Sequence, residues 1–148
     1  MRRVRVPRER VEEWLCVLDE VERAASRLAE VLGRVSVLLH GSFARGDFNL
    51  WSDVDLVLVS EVFRGVRHLD RYELVWRLLP PRAEVVAWTP EELKQALEKP
   101  AWLAAFRRGV VVVRDEHGVA ELLRRAGVEA LHLDELRRRV ERLLASSV

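Results

Sequence analysis

The chain contains 148 residues, 49% of them hydrophobic and 33% charged, which suits a domain that buries a core. No apolar run approaches the roughly 20 residues that span a membrane, and no signal-peptide segment follows the basic start, so we expect a cytoplasmic protein outside the membrane. The net charge of +1 argues against a protein that coats nucleic acid. Cys16 is the only cysteine, which excludes an intrachain disulfide, and its amphipathic surroundings predict a core position.

Apolar residues at helical spacing predict a long first helix, with Pro7 suited to its first turn and Gly33 to the position after its end. Short apolar runs predict four strands, the last of them at an edge of the sheet, at 35–39, 54–59, 83–88 and 109–113. Further helices are predicted at 66–79, 90–98, 100–107, 117–125 and 131–145.

This alternation predicts an α/β (α+β) fold with a small mixed β-sheet flanked by helices. We interpret residues 1–148 as a single domain, because no internal repeat, low-complexity stretch or convincing linker divides the chain. The core of the domain is expected at about 35–115, with an N-terminal helix at 8–33 and C-terminal helices at 117–146.

The most informative pattern lies between the first two predicted strands. Gly41-Ser42 follows the first strand, ten residues form a polar loop, and Asp53-Val54-Asp55 opens the second strand. Side chains two apart on a strand share a face, so Asp53 and Asp55 can hold one cation between them. Gly41 lets backbone N–H groups approach phosphate oxygens closely, and Ser42 adds a hydroxyl donor. These residues together predict a site for a metal ion and a nucleoside triphosphate.

Two further charged residues extend this predicted site. Arg45 lies in the loop and is a candidate clamp on the phosphates. Glu84 opens the third strand, as Asp53 and Asp55 open the second, and is a candidate third carboxylate. Three carboxylates around two Mg²⁺ ions can activate a hydroxyl and stabilise a leaving group. A solvated loop charge is the alternative for Arg45, and an ion pair with Arg82 is the alternative for Glu84.

Other polar and aromatic residues receive simpler interpretations. His40 is interpreted as a partly buried side chain rather than a base, and Trp51 and Trp88 as packing residues that alternatively border a nucleotide. The arginines at the start of the chain are interpreted as a solvated terminus, with contact to RNA or an acidic partner as the alternative: Arg2, Arg3, Arg5, Arg8 and Arg10.

The Leu-His-Gly-Ser segment at 39–42 and the Asp-Val-Asp-Leu segment at 53–56 resemble the signature of the DNA-polymerase-β-like nucleotidyltransferase superfamily. The closest resemblance is to its small prokaryotic members, the minimal nucleotidyltransferases, and it covers about 35–97. His40 departs from the bulky apolar or aromatic residue usual in the family, and Glu84 stands where an aspartate is common.

The resemblance implies the nucleotidyltransferase fold, with Gly41 and Ser42 on the triphosphate and with Asp53, Asp55 and Glu84 as ligands of Mg²⁺. It also implies transfer of a nucleoside monophosphate, AMP from ATP, to a hydroxyl acceptor. Family members of this size often accompany a helical ribonuclease toxin of the HEPN type and act as its antitoxin, some by adenylylating it.

Three questions stay open at the level of the sequence. A non-catalytic antitoxin that neutralises a HEPN-type protein by binding alone is the first alternative to the enzyme. Nucleotidyl transfer to a small molecule or to an RNA end is the second. Association of the chain into a homo-oligomer is also left open.

Overall fold

The computed structural model describes residues 6–146, so Arg2, Arg3 and Arg5 of the basic start lie outside the described residues. Within this range, seven α-helices and five β-strands follow one another. The helices are α1 (Arg8–Leu32), α2 (Ser42–Arg45), α3 (His68–Val75), α4 (Pro90–Ala96), α5 (Pro100–Arg108), α6 (Val119–Arg125) and α7 (Leu133–Ser146). The strands are β1 (Ser36–His40), β2 (Val54–Val59), β3 (Ala83–Trp88), β4 (Val110–Arg114) and β5 (Leu131–His132).

The five strands form one mixed sheet in the order β3-β2-β1-β4-β5. The central strand β1 is antiparallel to β2 and β4, whereas β3 is parallel to β2 and β5 is parallel to β4. The carboxyl end of β1 therefore lies beside the amino ends of β2, β3 and β4. This topology gathers the Gly-Ser turn after β1 and the carboxylates that open β2 and β3 at one end of the sheet.

Helices cover both faces of the sheet, so that β2 is buried on both sides, as its unbroken apolar run predicts. The first core lies between one face and helices α1 and α7, and its members include Leu18, Val21, Leu39, Leu56, Leu136 and Val140. The second core lies between the other face and helices α4, α5 and α6, and its members include Leu38, Val57, Trp88, Leu93, Phe106 and Leu123.

The start of α4 follows its predicted capping pattern. The Thr89 hydroxyl accepts a hydrogen bond from the Glu92 backbone N–H at 3.2 Å, and the Glu92 carboxylate accepts one from the Thr89 N–H at 2.8 Å. Pro90 occupies the first helical turn, where no N–H is needed. The capping box fixes α4 directly after Trp88, the last residue of β3.

Several local predictions were wrong. The helix predicted at 131–145 begins later, because Leu131 and His132 pair with β4 as β5, and β4 is therefore not an edge strand. The helix predicted at 66–79 is the shorter α3, followed by a 3₁₀ turn at Trp76–Leu78. Cys16 is exposed, because its neighbours Trp14 and Val17 take the inward face of α1. Among residues 6–146, no helix has both the length and the apolar character that crossing a membrane requires.

Candidate active site

The turn after β1 brings the backbone against one of the predicted carboxylates. Gly41 has a φ of 75°, in the left-handed region that glycine adopts without the steric cost of a Cβ atom. A Cβ added at this position would overlap Oδ2 of Asp55. Glycine at position 41 therefore serves both the turn and the close approach to Asp55, and the two halves of the sequence pattern are neighbours in space.

The acidic residues form a row across the sheet. His40 of β1 lies directly opposite Asp55 of β2, and Asp55 lies directly opposite Glu84 of β3. Residues that are directly opposite in a sheet project from the same face, here the face covered by α4, α5 and α6. Asp53 lies two residues before Asp55, just outside the strand. The structure thus places the three predicted carboxylates at one end of the sheet; we call Asp53, Asp55 and Glu84 the acidic row.

The acidic row has the electrostatics of a cation site. Burial raises the pKa of Asp55 to about 6, with further upward contributions from the carboxylates of Glu84 and Asp53, while Arg45 opposes the shift. Within residues 6–146, none of the three carboxylates makes a hydrogen bond or an ion pair. Like charges held close together without partners repel one another, and a bound cation relieves that repulsion.

The donor set of the acidic row fits Mg²⁺, because carboxylate oxygens are the hard ligands that this ion prefers. In the described part of the chain, however, no three His, Cys, Asp or Glu side chains converge into a preassembled metal site. Asp53 and Glu84 are exposed and have room to change rotamer. A metal ion at this position would therefore be held by Asp53, Asp55 and Glu84 after the exposed side chains turn toward it.

Arg45 lies on the β4 side of the acidic row. Its Nε is 3.1 Å from Oδ2 of Asp47, an ion pair within the loop. A Cβ added at Gly109 would lie only 2.9 Å from Cγ of Arg45, so the glycine before β4 leaves room for the arginine stem. The positive charge of Arg45 adds to the effect of burial in lowering the pKa of His40, and it partly offsets the rise in the pKa of Asp55.

The first turns of α1 hold the loop that carries Arg45. The indole Nε1 of Trp14 donates a buried hydrogen bond of 2.7 Å to the Phe43 carbonyl, and Arg10 donates one of 2.8 Å to the Gly46 carbonyl. The Arg10 guanidinium also lies 4.2 Å from the ring centroid of Phe48, which stacks on Phe43 at 4.4 Å. Two hydrogen bonds and an aromatic stack thus fix the backbone between Gly41 and the acidic row.

His40 joins the acidic row to an aromatic cluster. Its ring centroid lies 5.9 Å from that of Trp102 and 5.8 Å from that of Phe106. Burial and the nearby charge of Arg45 lower the pKa of His40 to about 4, so the imidazole is neutral at pH 7. A neutral, packed ring agrees with the interpretation of His40 as a partly buried side chain.

The structure agrees with some of the remaining sequence interpretations and contradicts others. Arg82 does not pair with Glu84; its Nη2 lies 3.4 Å from Oε1 of Glu13. Trp88 is buried in the second core, whereas Trp51 is 88% exposed. The interpretation of Arg10 as part of a solvated terminus was wrong, because its guanidinium is part-buried and donates a hydrogen bond to the Gly46 carbonyl. Sequence reasoning also missed the role of Trp14, because a helical pattern does not indicate a contact with a loop some thirty residues later.

The fold and the arrangement of the acidic row define the class of nucleotidyltransferases. The sequence profile of the nucleotidyltransferase domain family matches residues 18–108, which is more than half of the chain. The chain therefore belongs to the nucleotidyltransferase domain family, as its motif implied.

A solved structure shows the same fold. The crystal structure of a protein from Sulfolobus solfataricus, provisionally described as a nucleotidyltransferase, superposes with a TM-score of 0.51 at 22% sequence identity. The alignment covers 58% of this chain and 79% of that one. At this identity the likeness concerns the fold, and it confirms the predicted α/β fold. No curated protein matches the sequence.

Proposed function

We propose that this chain is a Mg²⁺-dependent nucleotidyltransferase that transfers AMP from ATP to a hydroxyl group in the cytoplasm. The observation that carries the proposal is the acidic row, three carboxylates without protein partners beside the Gly41-Ser42 turn. A carboxylate whose pKa is raised by burial and by like charges is a frequent mark of a functional site. Membership of the family supports nucleotidyl transfer as the reaction class.

In the proposed reaction, the acceptor oxygen forms a bond to the α-phosphorus of ATP. The bond from that phosphorus to the oxygen bridging to the β-phosphorus breaks, and pyrophosphate leaves with its electron pair. The hydroxyl proton passes to solvent. The products are pyrophosphate and an acceptor that carries AMP in a phosphodiester bond.

Each residue of the site has a proposed part in this reaction. Asp53, Asp55 and Glu84 would hold Mg²⁺, which when bound neutralises the triphosphate and activates the acceptor hydroxyl. The backbone at Gly41-Ser42 and the Ser42 hydroxyl donate hydrogen bonds to phosphate oxygens. Arg45 lies beside Gly109, on the β4 side of the acidic row, and its positive charge binds the leaving pyrophosphate.

The proposed acceptor is a helical partner protein of the HEPN type, so that the chain acts as an antitoxin. The resemblance to the minimal nucleotidyltransferases supports this part of the proposal. Transfer to a small molecule or an RNA end is tested with the same labelled ATP when RNA or a small hydroxyl compound replaces the partner protein, since each acceptor would carry the label.

The test uses ATP labelled at the α-phosphate, Mg²⁺ and the protein encoded by the neighbouring reading frame. The expected result is label and a mass gain of one AMP on the partner, both absent with the Asp53→Ala/Asp55→Ala double variant. Circular dichroism and thermal unfolding check that the double variant is folded. Transfer that persists in the folded double variant would overturn the mechanism.

A non-catalytic antitoxin is the second candidate, and one observation favours it. Leu69 and Tyr72 are spaced three residues apart on α3, and their side chains are 89% and 51% exposed. Large exposed apolar side chains on one helical face are typical of protein-binding surfaces. Neutralisation of the partner that survives Asp53→Ala/Asp55→Ala but is lost in Leu69→Asp would favour binding alone.

A further inference from the structure

We propose that the nucleobase of the donor nucleotide binds in a cavity between α3, α4 and α5 that is bordered by Trp88 and Trp102. This inference rests on the proposed function, because it assigns a place to the part of ATP that the acidic row does not hold. Four observations carry it: the position of Arg45, the open face of β3, the aromatic contacts of Trp102 and the lining of the cavity.

The position of Arg45 indicates which way the bound nucleotide extends across the sheet. Its stem lies over Gly109, directly before β4, while Glu84 lies on β3 at the opposite end of the acidic row. The β- and γ-phosphates carry most of the charge of the triphosphate and are attracted to the Arg45 side. The nucleoside, attached to the α-phosphate at the acidic row, then extends toward β3.

The face of β3 is open along this direction. Glu84, Val86 and Trp88 project from the same face, because they are two residues apart on one strand. Glu84 is exposed and Val86 is half-buried, so no helix covers this part of the strand completely. Four residues of strand correspond to about 13 Å, a length over which a ribose and its base can extend from the row.

Trp102 lies between His40 and the cavity. Its ring centroid is 5.9 Å from that of His40, which lies opposite Asp55, and 4.7 Å from that of Trp88. The side chain is half-buried, so part of the indole remains accessible. One aromatic residue thus contacts both His40, the neighbour of Asp55 on β1, and Trp88 in the wall of the cavity that would hold the base.

The cavity has a volume of about 160 Å³, smaller than the roughly 300–1,000 Å³ typical of pockets for whole ligands and suited to one planar ring system. Glu92 in its wall is already occupied, with Arg71 at 2.6 Å and His68 at 2.9 Å. Within the described residues, the side chains of Gln95 and Lys99, which also line the cavity, make no hydrogen bond. The lining is mostly polar, with free groups that match the polar edge of a base, and a smaller aromatic surface from Trp88 and Trp102 is available to its π-face.

The test measures equilibrium binding of ATP and of inorganic tripolyphosphate to the full chain in the presence of Mg²⁺. The tripolyphosphate has the phosphates without the nucleoside, so it reports on the acidic row alone. We expect ATP to bind more tightly than tripolyphosphate. Trp102→Ala should weaken ATP binding roughly tenfold, the loss expected when a base loses one aromatic platform, and leave tripolyphosphate binding unchanged.

Matched variants separate binding from folding. Trp102→Phe keeps an aromatic ring and should recover most of the ATP affinity. Leu103→Ala removes apolar packing from α5 at the next residue without lining the cavity, and should bind ATP as the wild type does. Gln95→Ala and Lys99→Ala alter exposed side chains and should weaken the binding of ATP but not of tripolyphosphate. Lys94→Ala, next to Gln95 on α4 but outside the lining of the cavity, should change neither.

Three results would overturn the inference. If tripolyphosphate binds and the Trp102, Gln95 and Lys99 variants bind ATP normally, the base lies elsewhere and the proposed function stands. If Trp102→Ala weakens both ligands equally, its role is structural or the cavity receives the acceptor. If neither ATP nor tripolyphosphate binds with Mg²⁺, the proposed function fails and this inference fails with it.

Discussion

The two ends of β1 carry polar clusters of opposite character. At the amino end, the Ser36 hydroxyl lies 2.7 Å from Nδ1 of His117 and accepts a hydrogen bond of 2.8 Å from the Glu116 N–H. The Glu116 carboxylate in turn accepts a hydrogen bond of 2.9 Å from the Val35 N–H. At the carboxyl end, the acidic row collects three carboxylates without any such partner in the described range.

This difference separates a structural cluster from a functional one. Buried polar groups that hold a fold together are hydrogen-bonded, because a buried group without a partner costs about 1–3 kcal/mol. The cluster around Ser36 follows that rule and ties the start of β1 to the loop between β4 and α6. Asp55, the half-buried member of the acidic row, departs from it, which is expected where a ligand completes the interactions. Substitutions at the two ends should therefore have opposite effects on stability and on activity.

The largest effect is expected for Asp55→Asn on activity. Loss of one carboxylate from the metal site removes several kcal/mol of transition-state stabilisation, so transfer should fall by about a thousandfold. The free energy of unfolding without metal should stay the same or rise, because the like-charge repulsion is removed. Labelled transfer and urea unfolding measure the two quantities. An active Asp55→Asn variant would place the catalytic centre elsewhere.

Ser36→Ala tests the other end of the strand. The hydroxyl is fully buried, and its loss leaves the Glu116 N–H and the His117 ring without their partner. We expect a decrease in the free energy of unfolding of about 2 kcal/mol with an unchanged kcat. A variant that is stable but inactive would show that this end takes part in the reaction.

Trp14→Phe is expected to lower both stability and activity, each by less than the two preceding substitutions. The ring is retained, but the Phe43 carbonyl loses its buried donor, at a cost of about 1–2 kcal/mol. Because that carbonyl belongs to the loop after Gly41, KM for ATP should rise more than kcat falls. Val21→Ala is the control, since this residue is buried on α1 about two turns beyond Trp14. Equal changes in KM for the two variants would contradict a specific hold on the loop.

The smallest expected effect is the pH dependence of stability. Burial and neighbouring carboxylates raise the pKa of Asp55 from 3.8 to about 6, so between pH 4 and 6 the folded state binds more protons than the unfolded state. Stability without metal should therefore fall as pH rises through this window, by about 1 kcal/mol after allowance for solvent screening. Urea unfolding in chelator should show this decrease in the wild type relative to Asp55→Asn. A parallel pH profile for the two proteins would contradict the shift.

Local signals explain which parts of the fold were predictable from the sequence. The bounds of β2 and β3 were predicted to the residue, because each apolar run is buried and is preceded by polar residues. The capping box at Thr89 was predicted because it depends on residues three apart. By contrast, β5 has two residues and exists only through its pairing with β4, which no local pattern reveals.

The candidate site, like the fold, was predictable where it depends on residues close in the sequence and not where it depends on distant contacts. Gly41 and Asp55 could be predicted to lie close together, because one loop joins the two strands that carry them. Glu84 could be predicted to join them, because it lies at the start of a strand. The contacts of Trp14 with Phe43 and of Gly109 with Arg45 depend on how α1 and β4 pack on the loop. Such contacts join distant parts of the chain and need the tertiary structure.

Helix α1 has a practical consequence for anyone who shortens this protein. The family match starts at residue 18, yet Arg10 and Trp14, which grip the loop, precede it on a helix about 37 Å long. The same helix forms ion pairs with α7 through Arg137 and Asp19, beyond the other limit of the match. A fragment limited to residues 18–108 would keep the acidic row but lose Arg10 and Trp14, whose hydrogen bonds hold the loop after Gly41 in place.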